Sequence, residues 1–256
     1  MGNPSLIQLG LFGAMFWLVQ TGNAQNLVTN GGFETGDFTG WALINNYYSN
    51  QSQIISSGSG PLHSGSFAAE FEEALFMGGG QTRVEETSLS QILTTQAGSS
   101  YSLSFWLYLA NGGGCNVIWN GTDVTDPTIY NHQAGGWTNI EIVISATGTN
   151  TVLEFAFYPY GANVGSAVVA FIDDISVTQL PAGYNKISGQ LLSGGAMQLS
   201  FVGNASSNYA LDRTFNLALT NWVPIATNTA NAGGTLVFTN TPNSTTNNFW
   251  RIRSVR

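Results

Sequence analysis

Charge is what this sequence has least of. Asp, Glu, Lys and Arg make up 8 % of the chain, against about 25 % in ordinary soluble domains. That scarcity argues against a helical protein, whose exposed faces draw on Glu, Lys and Arg. Cysteine is nearly absent. Cys115 stands alone, so no intramolecular disulfide can form. A catalytic thiol would need an imidazole partner, and neither His63 nor His132 lies in such a motif. Cys115 therefore reads as a small buried thiol. The sequence also lacks a nucleophile elbow, a phosphate-binding loop, zinc-ligand spacing and a basic–aromatic surface for nucleic acid. No segment keeps a helical period.

Residues 1–24 carry no charged side chain, and Leu6 to Val19 form an apolar run closed by the small residues Gly22 and Ala24. The pattern predicts a secretory signal peptide cleaved after Ala24. The alternative, a membrane anchor, would need about 20 apolar residues. No later segment has the length to span a bilayer. The remaining charge is split. Residues 26–180 hold thirteen acids and one base, Arg83, for a net −12, and residues 181–256 hold one acid, Asp212, and five bases, for a net +4. An acidic first part would repel nucleic acid.

What the chain has in quantity is alternation. In "YSLSFWLYLAN" Leu103, Phe105, Leu107 and Leu109 share one face, and Ser102, Ser104, Trp106 and Tyr108 the other. Ile140, Ile142 and Ile144 repeat the pattern, as do Leu153, Phe155 and Phe157 against Glu154, Ala156 and Tyr158. "AFIDDISVT" aligns Phe171, Asp173, Ile175 and Val177. Short alternating strands divided by Gly, Asn, Thr and Pro predict an all-β sandwich. "QLPAGYNK" breaks the pattern, so residues 179–187 read as a linker between domains at 26–178 and 188–256. In the second domain Met197–Val202, Asn208–Asp212, Thr235–Thr239 and Asn248–Val255 read as strands.

The opening "NLVTNGGFETGDFTGW" pairs two glycines, which permit a bend, with the lone carboxylate Glu34. Asp173 falls on the inward parity of its strand, where a carboxylate needs a hydrogen-bonding partner or a cation. Two readings stay open: Glu34 and Asp173 accept backbone hydrogen bonds, or they bind Ca²⁺, a hard ion that takes oxygen ligands.

These stretches, with "SGSFAAEF", "LSQILTTQAGSSYSLSFWLY", "VIWNGTDV", "LEFAFY" and "FIDDISVT", resemble the galactose-binding-like jelly-roll domains. More narrowly, they are similar to carbohydrate-binding modules of the family four/nine kind in secreted bacterial proteins. The resemblance covers residues 26–178. It implies two face-packed antiparallel sheets, and a structural Ca²⁺ joining the amino-terminal loop to the last strand through Glu34 and Asp173. Residues 190–253, with "MQLSFVGNASSNYALDRTFNLALTNWVPIATNTA" and "NFWRIR", resemble a small carboxy-terminal β module of secreted proteins in Verrucomicrobia-like bacteria. "LDRTFNL" departs from that pattern, and the resemblance implies no activity for the module.

Sugars are held by aromatic platforms and planar polar groups. Trp106, Tyr108 and Tyr158 lie on non-core parities, and Glu154 shares the face of Tyr158. If their strands are neighbours, they form one binding strip, to which Tyr160, Trp119 and Tyr130 could add. Trp41, Trp137 and Trp222 read as packing residues. Glu70, Glu72, Glu73, Glu85 and Glu86 read as a solvated loop, with a second cation site or an acid/base pair as the sharper alternative. The expected function is non-catalytic polysaccharide binding outside the cell. The rival is a structural or adhesive envelope protein that binds no sugar, attached through the second domain, where Arg251 and Arg253 alternate on one strand face and could meet an anionic polymer.

Overall fold

The computed structural model describes residues 25–45, 51–78, 81–84, 87–110, 113–125, 135–159, 167–218 and 221–255. Among them are 17 strands and no helix. The first eleven strands form two antiparallel sheets packed as a jelly-roll sandwich. One runs β1 (Ala42–Asn45), β5 (Thr87–Thr94), β10 (Asn150–Pro159), β7 (Gly113–Trp119), β8 (Thr122–Asp123). The other runs β2 (Gln51–Ser56), β3 (Phe67–Gly78), β11 (Ala167–Gln179), β6 (Ser100–Ala110), β9 (Thr138–Ser145), with β4 (Gln81–Val84) paired to β3. The last six strands make two three-stranded sheets. One orders β12 (Ile187–Leu191), β13 (Met197–Val202) and β16 (Thr235–Asn240), and the other β15 (Val223–Thr229), β14 (Asn208–Thr214) and β17 (Phe249–Val255). They enclose a small core of Leu199, Phe201, Tyr209, Leu211, Leu236 and Phe238. β12 and β15 have no sequence counterpart, because their side chains are almost all exposed and leave no alternation to read.

The main core follows the predicted parity. Leu103, Phe105, Leu107 and Leu109 from one sheet meet Leu153, Phe155 and Phe157 from the other. Phe105 packs edge-on to Phe155 at 5.0 Å, and Phe157 stacks on Phe71 at 3.9 Å. Cys115 is fully buried, and burial pushes its thiol far above the ordinary range, so it is inert. Trp41 closes one end of this core, its indole N–H donating to Asn30 O at 3.1 Å.

β11 departs from the expected register. Its pairing with β6 slips between Asp173 and Ser176, and Asp174 takes a positive φ of 51°. This bulge flips the parity. Before it, Ala170 and Ile172 face the main core; after it, Ile175 and Val177 do. Phe171 points the other way, into a separate cluster with Ile55 and Ala68 on the outer face of its sheet. Phe171 and Asp173 therefore do not share the inward face with Ile175 and Val177.

The amino-terminal loop is also built differently from expectation. The left-handed residues are Asn30 (φ 53°) and Phe33 (φ 56°), not the glycines between them. Gly31 is needed for closeness: its carbonyl accepts Ile175 N–H at 2.9 Å, and a Cβ there would lie 2.0 Å from Ile175 O.

Candidate functional site

The structure divides the predicted strip between two sheets. Trp106 and Tyr108 stand on β6, whereas Glu154 and Tyr158 stand on β10 of the opposite sheet. Both pairs point away from the core, so they lie on opposite outer faces of the sandwich and cannot form one groove. Parity along a strand cannot reveal this, because it says nothing about which strands are neighbours. Tyr160 and Tyr130 lie outside the described residues, as do Glu85 and Glu86. Trp119 faces the core, and its indole N–H donates to Ser145 O at 3.1 Å.

On the β6 side Trp106 and Tyr108 are partly buried, Trp106 beneath the connection from β2 to β3. The His63 imidazole stacks on Trp106, with centroids 3.7 Å apart and planes at 16°. Trp137 meets His63 edge-on at 5.8 Å, and Tyr108 stacks on Phe171 at 5.4 Å. Beneath this layer sits Asp173, with no exposed surface. Its Oδ2 accepts the backbone N–H of His63 and Ser64 at 3.2 Å each, and its Oδ1 accepts Asp174 N–H at 2.7 Å. Burial, helped by the neighbouring Asp174 charge, outweighs these bonds and pushes the Asp173 carboxyl up to about 6. Asp174 accepts from His63 Nδ1 at 2.7 Å and from the Ser64 hydroxyl at 2.9 Å. Trp106 thus helps hold the loop through His63, and Tyr108 packs against Phe171 on the neighbouring strand. His63 and Asp174 escaped sequence reasoning because their partners lie about a hundred residues away in the chain.

The carboxylates can be tested against the metal reading. Glu34 accepts the N–H groups of Ser66 at 2.9 Å and Phe67 at 3.2 Å. It is not one of the group His63, Asp173 and Asp174, whose donor atoms lie within 4.8 Å of one another. Asp173 and Asp174 nevertheless face one spot beside Gly32. A Cβ on Gly32 would meet Asp174 Oδ1 at 3.3 Å, Asp173 Oδ1 at 3.8 Å and Glu34 Cγ at 3.8 Å. A space left by a missing side chain and faced by two carboxylates fits a hard cation. Asp173 and Asp174 would hold it, with Glu34 bracing the loop alongside.

The opposite face, across β1, β5, β10 and β7, has a different character. Register places Ala42, Ser90, Glu154 and Ile118 in one row and Ile44, Ser88, Ala156 and Asn116 in the next. Tyr158 follows, opposite Gly114. Its ring lies across the β7 backbone: a Cβ on Gly114 would come within 2.6 Å of Tyr158 Cε2 and Cζ. Glycine at 114 therefore lets a partly exposed aromatic ring lie down on the sheet. In the adjoining row Ala156 and Ser88 are small and Asn116 is polar, with the exposed Ile44 beyond them, and Glu154 lies one row further along. The next carboxylate along the Glu154 row is Asp123 on β8, whose Oδ1 is engaged by Thr125 N–H at 2.9 Å. Gly114 and Asn116 were not predicted, since neither shows its neighbours until β7 is placed against β10.

No family model matches this chain, and no curated protein matches it. Among solved structures it is similar to TmCBM61 in complex with β-1,4-galactotriose, at 21 % identity over 61 % of this chain and 99 % of that one, with a TM-score of 0.45. It is similar to a family 16 carbohydrate-binding module at 19 % identity, covering 60 % and 99 % of the two chains, with a TM-score of 0.39. It is also similar to a β-1,2-glucanase from Parabacteroides distasonis at 13 % identity, covering 86 % of this chain but 35 % of that one, with a TM-score of 0.37. These are likenesses of fold.

Proposed function

We propose that this is a secreted, non-catalytic glycan-binding protein whose binding face is the outer surface of the β1–β5–β10–β7 sheet. The observation that carries the reading is Tyr158 laid over Gly114, with Asn116 and Ala156 in the adjoining row and Glu154 one row further along the same face. A pyranose presents an apolar C–H face and a rim of hydroxyls. An aromatic ring lying on a sheet offers a platform for the first, and a carboxylate and an amide offer hydrogen bonds to the second. Trp106 and Tyr108 are assigned to packing in this reading. Binding without cleavage is part of the reading: glycoside hydrolysis needs two carboxyl groups flanking the bond, and the second carboxylate along the Glu154 row, Asp123, sits beyond Ile118 with its Oδ1 accepting the Thr125 N–H at 2.9 Å.

Secretion rests on residues 1–24, which lie outside the described residues. No helix among the described residues is long and apolar enough to cross a membrane. Calcium, if held by Asp173 and Asp174, would act structurally, neutralising two adjacent carboxylates and fixing the amino-terminal loop to β11 on the far side of the sandwich from the glycan. Affinity electrophoresis of the full chain through gels containing β-galactan, xylan or β-glucan tests the function. Retardation by at least one neutral polysaccharide, with no release of reducing ends, is expected. Unretarded migration in all of them, or release of reducing ends, would overturn it.

A further inference from the structure

The second module carries a separate arrangement on the outer face of its β15–β14–β17 sheet. Asp212 is buried, 1 % exposed, in the middle strand. Arg251 stands directly opposite it on β17, and Arg253 lies one repeat further along the same face, opposite Ala210. Both arginines reach the same carboxylate oxygen. Arg251 Nε donates to Asp212 Oδ2 at 3.0 Å, and Arg253 Nε donates to it at 2.8 Å. The second oxygen, Oδ1, is buried without a partner among the described residues. Burial pushes the Asp212 carboxyl up, but the bonds from Arg253 and Arg251 outweigh it and hold it below its ordinary value, so the cluster is ionised and carries one surplus positive charge. The guanidinium of Arg251 also lies over the Trp222 ring, 4.6 Å from its centroid.

The choice of nitrogen matters. A guanidinium has a side edge that includes Nε and an end edge made of its two Nη groups. Asp212 takes only Nε from each arginine. The end edges, each able to grip a carboxylate with two parallel hydrogen bonds, are left beyond the buried acid, and the two side chains remain 47 % and 45 % exposed. Long cationic side chains usually lose conformational freedom when they bind. Here the buried aspartate has already removed much of it.

We propose that Arg251 and Arg253, oriented by Asp212, form a carboxylate-binding fork for an acidic, uronate-containing polysaccharide. Planar bidentate recognition suits carboxylate, the Trp222 ring beside Arg251 gives an apolar edge for the sugar ring, and the net +4 of residues 181–256 attracts polyanions. The site is separate from the face that holds Tyr158, and each can fail without the other.

The test is affinity electrophoresis of the full chain through polygalacturonate, with fully methyl-esterified pectin, dextran sulfate and polyphosphate as parallel arms. Retardation by polygalacturonate that disappears on esterification is expected, with weaker retardation by the sulfate and phosphate polymers. The double variant R251K/R253K keeps both charges but removes the forks, and it should weaken polygalacturonate binding about tenfold while Tyr158→Ala leaves it unchanged. Equal binding by the lysine variant, equal retardation by esterified pectin, or stronger retardation by dextran sulfate or polyphosphate would overturn the assignment. Should the lysine variant fail to fold, titration of the wild-type chain with galacturonate while recording the arginine Nε–Hε resonances decides the matter. Shifts confined to Arg251 and Arg253 support the fork, and none at those residues refutes it.

Discussion

At the scale of single residues, two glycines have consequences that their neighbours in the sequence do not announce. Gly31 sits so close to β11 that a methyl group would strike Ile175 O, a backbone atom unable to swing aside. Gly31→Ala is expected to destabilise the fold by about 2–4 kcal/mol, in the range of substitutions that force backbone apart, and the urea midpoint measures it. Gly114→Ala meets the face of the Tyr158 ring instead. That ring can tilt away, so the expected effect is a glycan affinity lowered several-fold with a melting temperature nearly unchanged. A large loss of stability with unaltered binding would show that the ring is packing and not a platform. The alternation in the sequence correctly separated core residues such as Phe155 and Phe157 from outward ones such as Glu154 and Tyr158. It could not say that Gly114 lies under Tyr158, because cross-strand contact depends on which strands pair and in what register.

At the scale of elements, the bulge in β11 and the loop that packs over it behave as one unit. The bulge reverses the strand's parity, so Asp173 escapes the main core and is buried beneath His63 and Ser64 instead. Reading "FIDDISVT" with an unbroken period of two placed Phe171 on the wrong side for the same reason: a bulge adds one residue without a marker in the sequence. His63→Ala is expected to uncover Trp106, raising its accessibility to iodide quenching, and to cost about 1–2 kcal/mol in lost stacking and hydrogen bonding. Unchanged quenching would contradict the stacked arrangement. Asp173 gives this unit a pH dependence. In chelated protein its folded carboxyl titrates near 6, above the ordinary unfolded value of about 3.9. A raised folded value means that the unfolded chain releases this proton more readily. The contribution is therefore fully present below about pH 4 and lost as pH rises through 6, on the order of 3 kcal/mol across the window. Urea midpoints taken in chelator should fall over that range, and midpoints that rise would contradict the burial of an unneutralised Asp173.

At the scale of the whole molecule, the two outer faces of the first sandwich differ in build. One carries the loop and the carboxylates Asp173 and Asp174; the other carries the Tyr158 ring among small, polar and exposed aliphatic side chains such as Ile44 and Ile92. Excess Ca²⁺ is expected to raise the melting temperature by several degrees over chelated protein, as binding to the folded state alone requires, and to abolish the fall in stability with pH. An identical melting temperature in both conditions would remove the metal. The all-β class, the sandwich, the strands β6, β9, β10 and β11 of the first module and four of the six strands of the second were legible from alternation and turn residues. The single aromatic strip was not, since Trp106 and Tyr158 have the same local pattern and only sheet order sends them to opposite faces. The most direct test of the face assignment is calorimetric titration of a retained neutral polysaccharide into Tyr158→Ala and Trp106→Ala. The account predicts that Tyr158→Ala weakens binding about tenfold or more while Trp106→Ala, though less stable, binds as the wild type does. Loss of binding in Trp106→Ala with full binding in Tyr158→Ala would place the site on the other face and contradict it.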